Sequence, residues 1–365
     1  MKSETSALVL QGGGALGAYQ AGAIQALTMA NHPIDWVAGI SIGAINSALI
    51  AGNSAKTRVD ALRSFWEMVS SSSAPIGMFD GILSRGWLNE MSASGTTLTG
   101  VPGFFKLRFP PAGVMPQGSV GARSFYDTAP LRETLLELVD FERINSGPVR
   151  LSVGAVNVET GNMTWFDSAQ TEIRPEHIMA SGALPPGFPA IEIDGAYYWD
   201  GGLVSNTPLQ YVLDEQMPAE DLCVFQVDLF SARGAVPTSV WTSEAREKDI
   251  RFSSRTRFNT DMMRRLHQTR DAARRLYNKL PSDLKKDPDA KALVVGNVDP
   301  RVTIAHLIYR QAKYERQSKD YEFSRRSMLD HWAAGEADVK QTLSHPDWKA
   351  RHDAEDRVNV FDLSG

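Results

Sequence analysis

Short apolar runs and amphipathic stretches take turns along the chain. Ala7-Leu-Val-Leu10 is a continuous apolar run of strand length, and it stops at Gln11 and three glycines. From about Gly17 to Ala30 the pattern becomes helical. Asp35-Trp-Val-Ala-Gly-Ile40 predicts a second strand, and the small residues from Gly43 to about Ala51 a second helix. Between Ser54 and Ser70, Leu62, Phe65, Trp66 and Val69 gather on one side of a third helix. This rhythm predicts an α/β fold, with a mostly parallel central sheet flanked by helices on both faces.

Residues 71–125 break that rhythm. They hold nine Gly and five Pro, with aromatics of exposed character at Phe79, Trp87, Phe104, Phe105 and Phe109. Two readings stand: an irregular loop over the core, or a mobile cap whose apolar side chains line an acyl-chain site. Regular patterning returns with a helix at Pro130 to Val139. A hairpin follows, Val149 to Val158 and Met163 to Phe166, turning at Glu159-Thr-Gly-Asn162. A short helix after Pro175 ends near Leu184-Pro-Pro-Gly187. Ile191-Glu-Ile193 and Tyr197-Tyr-Trp199 pair across Asp194-Gly195, a type I′ turn signal, and Cys223 to Leu229 reads as a further buried strand.

The last third is charged and mainly helical. Residues 231–290 carry 14 Lys and Arg against 8 Asp and Glu. Met262, Leu266, Thr269, Ala273, Leu276 and Leu280 share one helical face. Either that face packs on the sheet and leaves a solvated basic face, or residues 244–280 form a surface that meets anionic lipid headgroups. Val302 to Tyr309 predicts a strand, and Ser318 to Leu343 a last helical pair. The organisation expected is one domain over residues 1–230 and a helical extension over 231–365, packed on that domain or continuing it.

Composition adds little constraint. Apolar residues make up 42% and charged residues 22% of the 365, as in an ordinary soluble globular protein. Cys223, the single cysteine, lies in an apolar run and reads as an inert strand thiol. Lys2 and Glu4 precede an apolar stretch too short for a secretion signal, and no run approaches the ~18 residues of a membrane span. The net charge of −5 speaks against a nucleic-acid partner. A cytoplasmic protein, peripheral to membranes where it meets them, is the expectation.

The chemistry concentrates in three places. Gly39-Ile-Ser41-Ile-Gly43 lies between a predicted strand and a helix, where a sharp turn raises a serine hydroxyl clear of the backbone. Gly12-Gly13-Gly14-Ala-Leu-Gly17 can aim backbone N–H groups at one spot, as an oxyanion hole requires. The same glycines satisfy G-x-G-x-x-G, but a dinucleotide site needs an acid at the end of the second strand, and Asp35 lies at its start. Asp200-Gly201-Gly202 reads by itself as a simple turn, or as a carboxylate at an apolar strand end whose burial raises its proton affinity toward that of a base for Ser41.

These three blocks, in this order, resemble the signature blocks of the patatin-like phospholipases. Gly17-Ala-Tyr-Gln-Ala-Gly22, Ala180-Ser-Gly-Ala-Leu-Pro185 and Gly202-Leu-Val-Ser-Asn-Thr-Pro208 strengthen the likeness, which spans roughly residues 6–230. The resemblance implies a Ser–Asp dyad without histidine: Ser41 as nucleophile, Asp200 as general base, Gly12 to Gly14 as oxyanion donors. Gly17, Gly39, Gly43, Gly201 and Gly202 would support the motifs. It implies lipid acyl esters as substrates, with no metal or organic cofactor. Two positions depart from the family pattern. Leu16 stands where members often carry a basic residue, which speaks against a phosphate grip by that loop, and Gln11 stands where plant members have Asp.

A Ser–acid–His triad would need a histidine after Asp200. His306, near a strand end, is the candidate of interest; His267, His331, His345 and His352 read as solvated surface groups, and His177 as structural. Two other functions remain open at this stage. One is a soluble carboxylesterase or thioesterase for short acyl groups. The other is a lipid-binding adaptor with a vestigial site, using the basic helix around Arg264, Arg265, Arg274 and Arg275.

Overall fold

The computed structural model describes residues 4–71, 85–215, 220–254, 256–292, 300–311, 315, 317–354 and 356–363. The strands are β1 (Glu4–Leu10), β2 (Trp36–Gly39), β3 (Lys106–Leu107), β4 (Tyr126–Asp127), β5 (Arg150–Asn157), β6 (Met163–Asp167), β7 (Ile191–Ile193), β8 (Ala196–Asp200), β9 (Asp221–Asp228), β10 (Val302–Ile308) and β11 (Val358–Phe361). The helices are α1 (Gly17–Met29), α2 (Ile42–Ala51), α3 (Arg58–Val69), α4 (Arg85–Thr99), α5 (Ala129–Leu138), α6 (Phe141–Ser146), α7 (Pro175–Ser181), α8 (Leu209–Asp214), α9 (Val240–Phe252), α10 (Thr256–Lys279), α11 (Pro288–Ala292), α12 (Arg325–Ser344) and α13 (Pro346–Lys349).

Among the described residues nine strands form one sheet, in the order β11-β10-β9-β1-β2-β5-β8-β7, with β6 paired to β5. From β11 to β5 every pairing is parallel; β6, β7 and β8 add antiparallel partners. This is the mostly parallel α/β sheet that the alternating pattern predicts. The strands buried on both faces are the continuous apolar runs, with Leu8, Leu10, Val37, Leu151 and Phe225 all inaccessible to solvent.

One detail of the pairing positions the site. Ala155 of β5 pairs with Thr164 of β6 on one edge and Asp200 of β8 on the other. The β8 edge is the one that β2 uses lower down, where Gly39 pairs with Val153. β2 and β8 therefore share an edge of β5 end to end. Their last residues, Gly39 and Asp200, meet on either side of Gly154.

Several expectations change at this level. Phe104 and Phe105 are buried and join Phe65, Phe188, Phe323 and Tyr126 in an aromatic cluster, so this part of the irregular stretch is fixed to the core. Phe109 is exposed, Phe79 lies outside the described residues, and so does the side chain of Trp87. The stretch also contains the helix α4, which its glycine content hid. Residues 231–365 supply β10 and β11 to the main sheet, and α12 packs against α1, with Tyr19 donating to Asp338 at 2.5 Å. His267 and His331 are buried rather than solvated.

The largest reversal concerns α10. Of the two readings of its apolar face, packing on the sheet does not hold, for Met262, Leu266 and Leu276 are exposed. The helix instead packs with its other, mainly polar side, on β11 and α8, where Met263 joins the apolar cluster beneath it.

Candidate active site

Ser41 sits between β2 and α2 with φ 55° and ψ −123°, in the left-handed half of backbone space that non-glycine residues rarely occupy. The turn is possible because residues 39 and 43 lack side chains. A Cβ at Gly39 would stand 2.3 Å from the Gly43 carbonyl oxygen, and one at Gly43 would stand 2.2 Å from that of Leu10. The strain is held by neighbours. Ser41 N–H donates to Ser181 Oγ at 3.0 Å, and that hydroxyl donates to the Gly154 carbonyl at 2.7 Å.

Asp200 ends β8 and is buried at 4% exposure. Its own N–H donates to the Ala183 carbonyl at 3.0 Å, and its Oδ1 accepts from Gly202 N–H at 2.7 Å. Burial pushes the carboxyl up to about 6, while hydrogen bonds from Gly202 N–H and the Ser41 hydroxyl pull it back. Ser41, two residues past the end of β2, and Asp200, the last of β8, thus come from two strands that are neighbours on one edge of β5, and the Ser41 hydroxyl is among the groups that act on the Asp200 carboxyl.

The glycine loop lies against the same spot. A Cβ on Gly12 would come within 3.1 Å of Ser41 Cβ. Gly12 N–H donates to the Asn206 carbonyl at 3.2 Å, and Asn206 Nδ2 donates to the Gly12 carbonyl at 3.0 Å. Gly12 is thereby clasped by Asn206 on both sides. Gly14 has φ +53°, and the Asp320 carbonyl oxygen lies 2.0 Å from where its Cβ would be. A turn at Gln317–Asp320, in the C-terminal third, therefore backs the loop. That turn is tied down by Lys319 to Asp249 and Lys248 to Asp320, each at 2.6 Å.

Gln11 and Leu16, the two departures from the family pattern, have structural explanations. Gln11 is fully buried and joins four groups: Nε2 donates to Thr207 Oγ1 and the Phe252 carbonyl, and Oε1 accepts from Leu229 and Phe230 N–H. Asp would keep the acceptor and lose both donors. Leu16 is fully buried in the core, so its side chain reaches no substrate phosphate.

No histidine stands at Ser41. His306 Nε2 lies 2.6 Å from Asp228 Oδ2, on β10, with β9 and β1 between it and β2. Three inter-strand steps put it roughly 14 Å away. His331 contacts Glu315 at 2.6 Å, and His177 accepts from Arg174 N–H at the start of α7. His345 caps α13 and His352 is exposed. Cys223 is buried, and burial pushes its thiol up to about 12, as an inert strand thiol should be. Among the described residues no cluster of His, Cys, Asp and Glu has metal-site geometry, and no helix is long and apolar enough to cross a membrane. A wide cleft between α9, α10 and the ends of β9 and β10 is lined by Asp228, His306, Arg264 and Trp241 but by neither Ser41 nor Asp200.

Ser181 and Asn206 carry functions that residue types alone did not announce. Both lie in segments that resembled the family blocks, and their spacing gave no sign of hydrogen bonds to Ser41 and Gly12. Exposed apolar side chains flank the pair: Leu184 follows Ala183, and Leu203 and Val204 follow Gly202.

Comparison with known proteins bears on the whole arrangement. Residues 8–213 match the model of the Patatin-like phospholipase family, and residues 250–355 match a second model described as Patatin phospholipase. No match was found among curated proteins. VipD from Legionella pneumophila is similar over 91% of this chain and 67% of its own, at 15% identity and TM-score 0.34. ExoU, in its heterodimeric complex with SpcU from the type III secretion system of Pseudomonas aeruginosa, is similar over 94% and 77%, at 16% identity and TM-score 0.33.

Proposed function

We propose, given that this chain belongs to the patatin-like phospholipase family, that it hydrolyses carboxylic esters of lipids with Ser41 as nucleophile and Asp200 as base. The observation that carries the reading is the convergence of β2 and β8 at Gly154, which sets Ser41 beside the buried Asp200 carboxyl, pushed up to about 6 by burial. At neutral pH that carboxylate is ionised, yet basic enough to accept a proton in the transition state.

In the first step Asp200 takes the hydroxyl proton while Ser41 Oγ attacks the acyl carbonyl. Charge gathers on the carbonyl oxygen. With Gly12 N–H engaged by Asn206, the donors assigned to that oxygen are Gly13 and Gly14. One such donor lowers the barrier by roughly 3 kcal/mol. The intermediate collapses, Asp200 returns its proton to the departing alcohol, and an acyl-Ser41 ester remains. Asp200 then deprotonates water, which attacks the acyl carbonyl; the intermediate collapses, Asp200 returns the proton to the departing Ser41 Oγ, and the fatty acid is released. Each proton taken is given back, and no further cofactor enters.

A lipid substrate is favoured over a short soluble ester by the exposed apolar side chains Leu184, Leu203 and Val204 beside the pair. The test is mass spectrometry of products from a mixed lipid extract. Free fatty acid and lysolipid should accumulate with the unsubstituted chain and not with Ser41→Ala. Turnover confined to acetyl and butyryl esters would replace this reading by that of a soluble esterase.

A further inference from the structure

α10 presents its apolar stripe to solvent. Phe258, Met262, Leu266 and Leu276 are between 46% and 65% exposed, and with Thr269 and Ala273 they follow steps of four, four, three, four and three along one face. The opposite face does the packing. Thr260 and His267 are buried, Arg264 Nε donates to the Val358 carbonyl at 3.0 Å, and Asp271 faces Arg357 at 3.8 Å. Polar-side-in packing is stable here because the end of the sheet offers carbonyl and charged partners, and it leaves the apolar side uncovered.

Charge selects what covers it. Among the described side chains of α10, the exposed charged ones are Arg265, Arg270, Arg275 and Lys279 against Asp261. On the helical wheel Arg265 and Lys279, together with Asp261, fall on one flank of the stripe and Arg270 on the other, while Arg275 lies nearer the packing face. A second copy of the chain, paired stripe to stripe, would bring these cations together. An anionic lipid surface answers both features at once: acyl chains accept the stripe and headgroups accept the flanking cations. Trp241, Val240 and Val236, at the start of α9, are exposed too, and Trp241 and Val236 line a single cleft with Asp261 and Arg264 of α10. Tryptophan beside cations is the side-chain mixture that membrane interfaces favour.

We infer that α10 is a membrane-docking helix, which lies in the plane of an anionic lipid surface with Met262, Leu266 and Leu276 inserted and Arg265 and Lys279 on the headgroups. This rests on the lipid-hydrolase reading for its biological sense, while its physical test is separate. The full chain carrying Ser41→Ala is sedimented with vesicles of phosphatidylcholine, alone or mixed with phosphatidylglycerol. Binding to the mixed vesicles is expected, and M262S/L266S/L276S should lower the partition coefficient by about tenfold or more, as loss of buried apolar area requires. R265E/K279E should lower it on mixed vesicles only.

With Ser41 intact, both variants should hydrolyse p-nitrophenyl butyrate as the parent does, which shows that they are folded. Unchanged sedimentation of the triple variant would overturn the inference. So would a chain that elutes as a dimer without lipid and becomes monomeric on the triple substitution. Absence of ester hydrolysis alongside retained vesicle binding would sink the hydrolase reading and leave the docking helix standing.

Discussion

The amide of Ser41 is held by the hydroxyl of Ser181, 3.0 Å away, which passes the restraint on to the Gly154 carbonyl. The hydroxyl of α7 thus fixes the positive-φ backbone of Ser41, and Gly154 is the residue at which β2 and β8 converge. Removing this hydroxyl leaves a buried amide and a buried carbonyl without partners, at about 1–3 kcal/mol. Ser181→Ala should therefore lower kcat by roughly ten- to a hundredfold, as expected when a nucleophile loses its geometry, with KM little changed. Steady-state kinetics on a soluble ester, together with a thermal melt, separate that effect from simple unfolding.

The raised carboxyl of Asp200 fixes the pH dependence. A base must be ionised, so kcat/KM should climb through about pH 6 and level off above it. A profile with its midpoint near the ordinary carboxylate value would mean that Asp200 is not the base.

The same shift predicts that Asp200 weakens the fold. Its pKa rises from 3.8 unfolded to about 6 folded, so between those values the folded state binds more protons. Stability must therefore fall as pH rises through this window, by about 3 kcal/mol, with the cost fully present above pH 6 and absent below about 4. Asp200→Asn removes the charge. It should abolish turnover yet melt at a higher temperature than the parent at pH 8, the difference shrinking toward pH 4.5. Equal melting at both pH values would contradict the buried-carboxylate account.

Lys319 tests how far the C-terminal third belongs to the site. Its side chain is 2% exposed and pairs with Asp249, while the next residue's carbonyl backs Gly14. Lys319→Met strands a carboxylate that is 12% exposed and should cost about 3–5 kcal/mol. K319M/D249L should recover most of that loss. Chemical denaturation of the three proteins measures it, and additive losses would show that the two residues do not interact.

Much of this site was legible in the residues. The elbow at Gly39 to Gly43, the glycine block and Asp200-Gly201-Gly202 each need a backbone that few sequences permit, so their types and spacing betray them. The Asp194-Gly195 turn did the same, with both residues at positive φ. What sequence could not supply was anything decided by orientation. The periodicity of α10 located its apolar stripe but not the side that would pack. Phe104 and Phe105 looked like surface because their neighbours are Gly and Pro, and only the fold brings Phe65, Phe188 and Phe323 to them. His331 sat in a charged helix, yet Glu315 and Tyr309 enclose it. Ser181 and Asn206 act through hydrogen bonds to backbone distant in the chain, for which no residue pattern exists.

The most direct test of the central claim is covalent. A fluorophosphonate probe added to the full chain at pH 8, followed by peptide mass spectrometry, should place one adduct on Ser41. The adduct should be absent in Ser41→Ala and form far more slowly in Asp200→Asn. Labelling of another serine at the same rate in Ser41→Ala, or no labelling of the unsubstituted chain, would contradict the account.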